Sequence, residues 1–264
     1  MAFARLNGVV LHYDSGGTSD RLPLVFSNSL GTDFRIWDAV AARLAGRYRL
    51  IRYDKRGHGL SEAPRPPYAM ADHVADLLAL LDHLGIARSV IVGLSVGGVI
   101  AQGLAALHPE RVAALVLSDT AHKIGTEASW NERIDAVTRD GIASIADTIM
   151  QRWFTSAYRR PDNPDFAGYT AMLTRTPVDG YAGTCAALRD ADLTESTRAL
   201  KMPALCIVGD QDGATPPDIV RSMANLIRNS EFRIIPDAGH LPCIEQPDAV
   251  AGLIGTFLRS ARYG

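Results

Sequence analysis

The segment Gly93-Leu94-Ser95-Val96-Gly97 constrains this chain more than any other. It joins an unbroken apolar run, Ser89-Val90-Ile91-Val92, directly to an Ala-rich stretch of helical character, Val99 to Leu107. A strand that turns into a helix with no intervening loop forces the residue at the turn into strained backbone space. Side chains beside that residue would strike the strand or the helix, so glycine is required there. Ser95 is therefore expected to project from the carboxyl edge of a sheet as a nucleophile elbow, the flanking strand and helix being the context that separates this pattern from a chance Gly-Ser turn.

A serine nucleophile needs a base and an acid that orients the base, and both partners appear late in the chain, each just past an apolar run. Ala204 to Val208 reads as a buried strand and leads into Gly209-Asp210-Gln211-Asp212-Gly213. Phe232 to Ile235 reads as the next strand and leads through Pro236-Asp237-Ala238-Gly239 into His240. In an open α/β sheet the carboxyl ends of neighbouring strands converge on one crevice. His240 is the expected base and Asp212 the expected acid. Asp210 is read as turn chemistry, and Asp119, which ends the strand Ala114 to Leu117, is the alternative acid. His58, in a Gly-rich loop after the strand Tyr48 to Tyr53, is read as loop architecture near the site.

Two backbone amides are expected to receive the oxyanion: that of Val96, which follows the nucleophile, and that of Leu30, in the loop after the third strand, Leu24-Val25-Phe26. Donors of this kind are each worth about 10²–10³ in turnover.

Along the chain, two short strands near Ala2–Leu6 and Val9–Asp14 precede alternating strands and helices up to Thr120, the pattern of a mostly parallel sheet. From about His122 to Asp192 no strand-like run occurs. Amphipathic stretches take over, Trp130 to Arg139, Ile142 to Phe154 and Gly180 to Arg189, with Pro161, Pro164 and Pro177 read as separators. Alternation resumes at Met202 and closes with a helix from Asp248 to Arg262. The expected organisation is a first core part at 1–121, a helical cap inserted at 122–192 and a second core part at 193–264.

The motifs GLSVGG at 93–98, DKRGHGLS at 54–61, GDQDGATPP at 209–217 and DAGHLP at 237–242 give the chain a resemblance to the α/β-hydrolases over nearly its whole length. That resemblance implies an eight-stranded, mostly parallel sheet flanked by helices. It also departs from most members, which carry His-Gly at the oxyanion loop where this chain has Asn28-Ser29. The string Ser27 to Thr32, with Arg152-Trp153-Phe154-Thr155 in the cap region, is similar to 3-oxoadipate enol-lactonase, the ring-opening hydrolase of the β-ketoadipate pathway of aromatic compound catabolism. The similarity implies a small anionic lactone as substrate, opened through an acyl-enzyme on Ser95. A substrate carboxylate in a partly dry pocket needs a cationic partner, and Arg133 and Arg152 are the cap candidates, with Trp130 and Trp153 as an apolar wall. A general carboxylesterase or perhydrolase, or a receptor that uses the same residues to hold a small ligand, remain as alternatives.

Composition sets the outer limits. With 264 residues, 47% of them hydrophobic, the chain can bury one full α/β core. A formal charge of −2 gives no electrostatic reason to expect nucleic-acid or membrane partners. No apolar run approaches the roughly 18 residues of a membrane-spanning helix, and the first residues lack the charged-then-apolar pattern of a secretory leader. Cys185, Cys206 and Cys243 have no metal-ligand spacing and are expected to be reduced thiols of a cytoplasmic protein. No metal or cofactor is called for by any motif.

Overall fold

The computed structural model describes residues 1–17 and 22–263. Its strands are β1 (Ala2–Leu6), β2 (Val9–Gly16), β3 (Leu24–Ser27), β4 (Leu50–Tyr53), β5 (Ser89–Leu94), β6 (Val112–Ser118), β7 (Ala204–Gly209) and β8 (Ser230–Ile235). They form one eight-stranded sheet in the order β1-β2-β4-β3-β5-β6-β7-β8. Pairing is antiparallel at β1–β2 and β2–β4 and parallel from there to β8. Every residue of β5, β6 and β7 is buried. That fits their unbroken apolar sequences, since a parallel strand covered on both faces has no solvent side to alternate with.

Helices α1 (Asp38–Leu44), α2 (Met70–His83) and α3 (Val96–Leu107) alternate with the strands of the first part. Between β6 and β7 come α4 (Glu127–Asp140), α5 (Ala146–Trp153), α6 (Pro164–Thr174), α7 (Val178–Asp190) and α8 (Thr194–Arg198). The second part adds α9 (Pro217–Leu226), α10 (Pro242–Glu245) and α11 (Pro247–Ser260). α1 packs on α11, while α2 packs on α3. α3 lies in the middle of the molecule, with its first ten residues all buried, as suits a helix apolar on every side.

The strand order places the site. From β3 the chain turns outward to β4, and from β5 it turns the other way to β6, so β3 and β5 pair while their following segments diverge. This reversal opens a crevice at the carboxyl ends of the two strands. Leu30 follows one strand and Ser95 the other.

The insertion sits over that crevice. α4 runs along α7, and α7 rests on the loop after β4, where a Cβ on Gly180 would come within 2.0 Å of the Gly57 carbonyl oxygen. Only two glycines facing each other permit so close a backbone approach.

Boundaries differ from the sequence reading in instructive ways. Pro164 does not separate helices but starts α6, directly after an Asn163 cap whose side chain accepts the Asp165 N–H; proline is well suited to the first helical position because its missing N–H would be unpaired there anyway. α3 begins at Val96 rather than Val99, because the elbow has no loop at all. Tyr48 precedes β4, which starts at Leu50.

Candidate active site

At the elbow, Ser95 has φ 56 and ψ −120, a region that side-chain-bearing residues rarely occupy, at a cost of roughly 1–3 kcal/mol. The surroundings enforce it. A Cβ on Gly93 would lie 2.3 Å from the Gly97 carbonyl oxygen, and one on Gly97 would lie 2.1 Å from that of Ser27. The Ser95 N–H donates to the Ser118 carbonyl at 3.0 Å, and the Ser95 carbonyl accepts from the Thr120 hydroxyl at 2.6 Å. The turn is thus fastened to β6 on both sides of the serine.

Asp212 and His240 meet across the ends of β7 and β8. His240 Nδ1 lies 2.9 Å from Asp212 Oδ2 and 3.1 Å from Oδ1, with both side chains buried. Asp212 also accepts the N–H groups of Ala214 and Thr215 and the Thr215 hydroxyl. Burial alone would raise its pKa, but the adjacent imidazole and these donors outweigh burial and hold it below the usual carboxylate range. With Nδ1 engaged by a carboxylate, Nε2 is left as the proton acceptor. Ser95 Oγ and the imidazole share the wall of one cavity but are not hydrogen-bonded to each other among the described residues, a contact that commonly tightens only when substrate is bound.

Asp119 lies behind this pair. It sits in left-handed backbone with φ 49, is fully buried, and accepts from the Gly209 N–H at 2.9 Å and the Ser118 hydroxyl at 2.5 Å. Burial, then the neighbouring Asp212 charge, push its pKa well above the ordinary value. Asp119 is thus pushed towards its neutral form, and Asp212 towards its ionised form. Asp210 accepts the Ala238 N–H at 3.2 Å and so links the acid loop to the histidine loop. Asp119, Asp212 and His240 are also the one trio among the described residues whose donor atoms, all within 4.8 Å, could hold a metal ion. The bonds already made to Asp212 and Asp119 occupy most of those lone pairs.

Sequence reasoning missed how much of this geometry hangs on α5. The Trp153 carbonyl accepts the His240 N–H at 2.8 Å, and the Arg152 carbonyl accepts the Gly213 N–H at 3.2 Å. Glu245 completes the brace: one carboxylate oxygen takes the Thr155 hydroxyl at 2.6 Å and the Thr155 N–H at 3.1 Å, the other the Gly239 N–H at 2.7 Å. Nothing local in the sequence marks Glu245. Its partners lie 90 residues away at Thr155 and across a turn at Gly239.

A cavity of about 130 Å³ joins these parts. Ser29, Leu30, Ser95, Thr215 and His240 line its floor, and Trp130, Trp153, Ile149 and Leu188 its apolar sides. The Trp130 indole N–H is taken by the Ile124 carbonyl at 2.6 Å, which leaves that ring an apolar surface. Arg133 and Arg152 both reach the cavity, Arg133 with its guanidinium 5.1 Å from the Trp130 ring centre. Neither arginine is in an ion pair among the described residues, unlike Arg139 and Arg189 nearby. Tyr181, unremarked in the sequence, adds a buried hydroxyl whose pKa burial pushes up. The Val96 N–H is the first of α3, without a turn before it to bond, and the Leu30 N–H donates to no backbone carbonyl among the described residues. His58 is fully buried, its Nδ1 3.1 Å from the Arg56 carbonyl, and forms part of the loop after β4.

Residues 23–247 match the family described as alpha/beta hydrolase fold. This chain belongs to the α/β-hydrolase family. The hydrolase is 36% identical to 3-oxoadipate enol-lactonase 2 of Acinetobacter baylyi, over 91% of this chain and 90% of that protein. The enol-lactonase from Burkholderia xenovorans LB400 superposes with a TM-score of 0.95 at 37% identity, covering 98% of this chain and 100% of the other. Similarity also extends to a putative non-heme bromoperoxidase of Mycobacterium tuberculosis, 33% identical over 96% of this chain and 98% of that one. Among the described residues no helix is long and apolar enough to cross a membrane.

Proposed function

We propose that this hydrolase opens a small anionic enol-lactone, of the kind 3-oxoadipate enol-lactone represents, through an acyl-enzyme on Ser95. The observation that carries the proposal is the cavity itself, lined by two arginines that have no carboxylate partner among the described residues, together with a serine elbow and an Asp-bound histidine. A guanidinium in a partly dry pocket fits a carboxylate by charge and by its fork of N–H donors. The names of the two enol-lactonases among its relatives support the same reading.

In the proposed reaction His240 Nε2 takes the Ser95 proton as Oγ adds to the lactone carbonyl, and the Val96 and Leu30 amides hold the oxyanion. Asp212 keeps the imidazole in the required tautomer. When the tetrahedral adduct collapses, the ring C–O bond breaks and the enol oxygen takes the proton from His240. The enol then tautomerises to a ketone, which withdraws the leaving group from the reverse reaction. Water, deprotonated by the same histidine, cleaves the acyl-serine and releases the dicarboxylate keto acid. The three buried free thiols fit a reducing, cytoplasmic setting, and the proposed partner is the small substrate alone.

The test compares an anionic enol-lactone with a neutral ester of similar size. Arg133→Gln and Arg152→Gln should each be assayed on both; the arginine that binds the carboxylate should lose roughly 1.5–3 kcal/mol of charge-assisted hydrogen bonding. That is about one to two orders of magnitude in kcat/KM for the anion, with the neutral ester nearly unchanged. Equal losses on both substrates, or a wild type with no preference for the anion, would replace this reading with that of a general esterase.

A further inference from the structure

Lys55 is 1% exposed, in the loop after β4. The lysine ion pair among the described residues is that of Lys123 with Asp192, and Lys55 has none. Its Nζ instead donates to the Ser29 carbonyl at 2.5 Å and lies 3.4 Å from that of Asn28. An ammonium buried with only carbonyl partners lowers stability. Here both carbonyls belong to the loop that carries Leu30.

The Ser29 carbonyl and the Leu30 N–H are the two ends of one peptide group. This peptide is trans, so the two bonds point in opposite directions from a rigid plane. The carbonyl end is saturated: besides Lys55 it receives the Thr32 hydroxyl at 2.9 Å and the Thr32 N–H at 3.4 Å. The Asn28 side chain ties the same turn by donating to the Thr32 carbonyl and, at 3.2 Å, to its hydroxyl. The N–H end donates to nothing in the backbone among the described residues, and both Ser29 and Leu30 line the cavity beside Ser95. A cation on the carbonyl draws charge along the amide and makes the opposite N–H a better donor.

We propose that Lys55 is a positioning residue for the oxyanion site, holding the Ser29–Leu30 peptide by its carbonyl so that the N–H of the same peptide is fixed and strengthened as a donor to the reacting oxygen. This rests on the acyl-transfer reading given above. Unlike the arginines of the cap, Lys55 acts on any ester the enzyme takes, since it never meets the substrate.

Charge on Lys55 also gives the effect a pH dependence. Burial pushes the lysine down to about 7, against the opposing pull of the Asp54 and Asp33 carboxylates. His58 in the same loop and His73 on α2 sit near the ammonium, and burial, then that charge, hold both well below the usual imidazole range. Arg56, the next residue, is paired with Asp76. The ammonium form therefore dominates below about 7 and the neutral amine above it. In the unfolded chain the lysine stays charged to far higher pH, so removing it stabilises the fold most on the acid side of neutrality.

The experiment uses 4-nitrophenyl acetate, a neutral activated ester, and phenylboronic acid, whose tetrahedral serine adduct puts an oxygen in the oxyanion site. Lys55→Met is compared with wild type from pH 6 to 9, with Ser95→Ala as the control. At pH 6 kcat should fall roughly 10- to 100-fold, less than the loss of a whole oxyanion donor. KM should stay within about twofold, as expected when an interaction is made only in the transition state. Boronate affinity should fall in parallel with kcat. The wild-type to variant ratio of kcat should contract as pH rises, and the variant should melt at or above the wild-type temperature at pH 6. Should Lys55→Met not fold, Lys55→Gln carries the same expectations. Unchanged kcat and boronate affinity would overturn the assignment, as would a loss shared by kcat and KM with a lower melting temperature, the mark of a merely structural lysine. Hydrolysis that does not depend on Ser95 would overturn the acyl-transfer reading itself; Ser95-dependent turnover untouched by Lys55→Met overturns only the role given to Lys55.

Discussion

The two ends of the cavity floor are built by opposite means. Ser95 is placed chiefly by steric exclusion, since a strand, a helix and two glycines crowd its backbone into one conformation, which short-range bonds to Ser118 and Thr120 then fasten. Asp212 and His240 are placed by hydrogen bonds, and several of those bonds come from the cap, through the Arg152 and Trp153 carbonyls and the Thr155–Glu245–Gly239 bridge. The comparison teaches that Ser95 belongs to the sheet, whereas His240 is held jointly by the sheet and the inserted helices. Disturbing the first should be all-or-none; disturbing the second should be graded.

Gly97→Ala tests the first half and has the largest expected effect. Its Cβ would come within 2.1 Å of the Ser27 carbonyl oxygen, in backbone that cannot retreat without unpairing β3 from β5. Folded protein should fail to accumulate, as judged by soluble yield and circular dichroism; a stable, active Gly97→Ala enzyme would show the elbow to be far softer than described. Next comes Asp212→Asn, expected to leave the melting temperature close to wild type while lowering turnover by about four orders of magnitude through the wrong imidazole tautomer. Asp119→Asn should cost less than about tenfold, since burial and the Asp212 charge already push this carboxyl towards the uncharged form that an amide resembles. Steady-state kinetics on one ester rank the two, and the reverse order would transfer the orienting role to Asp119. Between those two lies Glu245→Ala, which loosens the loop that carries His240 without touching Ser95, Asp212 or His240 themselves. A misplacement on the order of 1 Å can cost up to about a hundredfold, so a tenfold to hundredfold fall in kcat with Ser95 still open to a fluorophosphonate label would sharpen the contrast. Loss of labelling as well would erase it.

What could be read from the sequence divides along the same line. The elbow was legible because everything that shapes it, from Ser89 to Leu107, is contiguous, and the strand–glycine–helix grammar is local. The strands that end at Asp212 and His240 were legible for the same reason. Their bracing was not, because Trp153 and Glu245 contribute a backbone carbonyl and a long-range carboxylate, neither of which has a sequence pattern. Pro164 misled because a proline between amphipathic stretches looks the same whether it ends one helix or opens the next. Lys55 was in plain view within DKRGHGLS, yet a lysine is mostly exposed as a rule. Only the folded structure reveals that it is sealed inside, with its Nζ on the Ser29 carbonyl.

The seating of α5 against both loops has a consequence for recombination. Segment 152–155 shares backbone bonds with the turns at Gly213 and His240 and a side-chain bridge to Glu245. A chimera that exchanges the insertion at β6 and β7 takes Thr155 from one parent and Glu245 from the other, and the backbone bonds to Gly213 and His240 then depend on how well the two parents' backbones superpose. Grafts that carry 152–155 together with 209–215 and 237–245 keep the joint whole. The inserted helices and the core thus meet in one joint made of three stretches, and an exchange at β6 and β7 alone is expected to lower the melting temperature of the chimera wherever it separates Thr155 from Glu245.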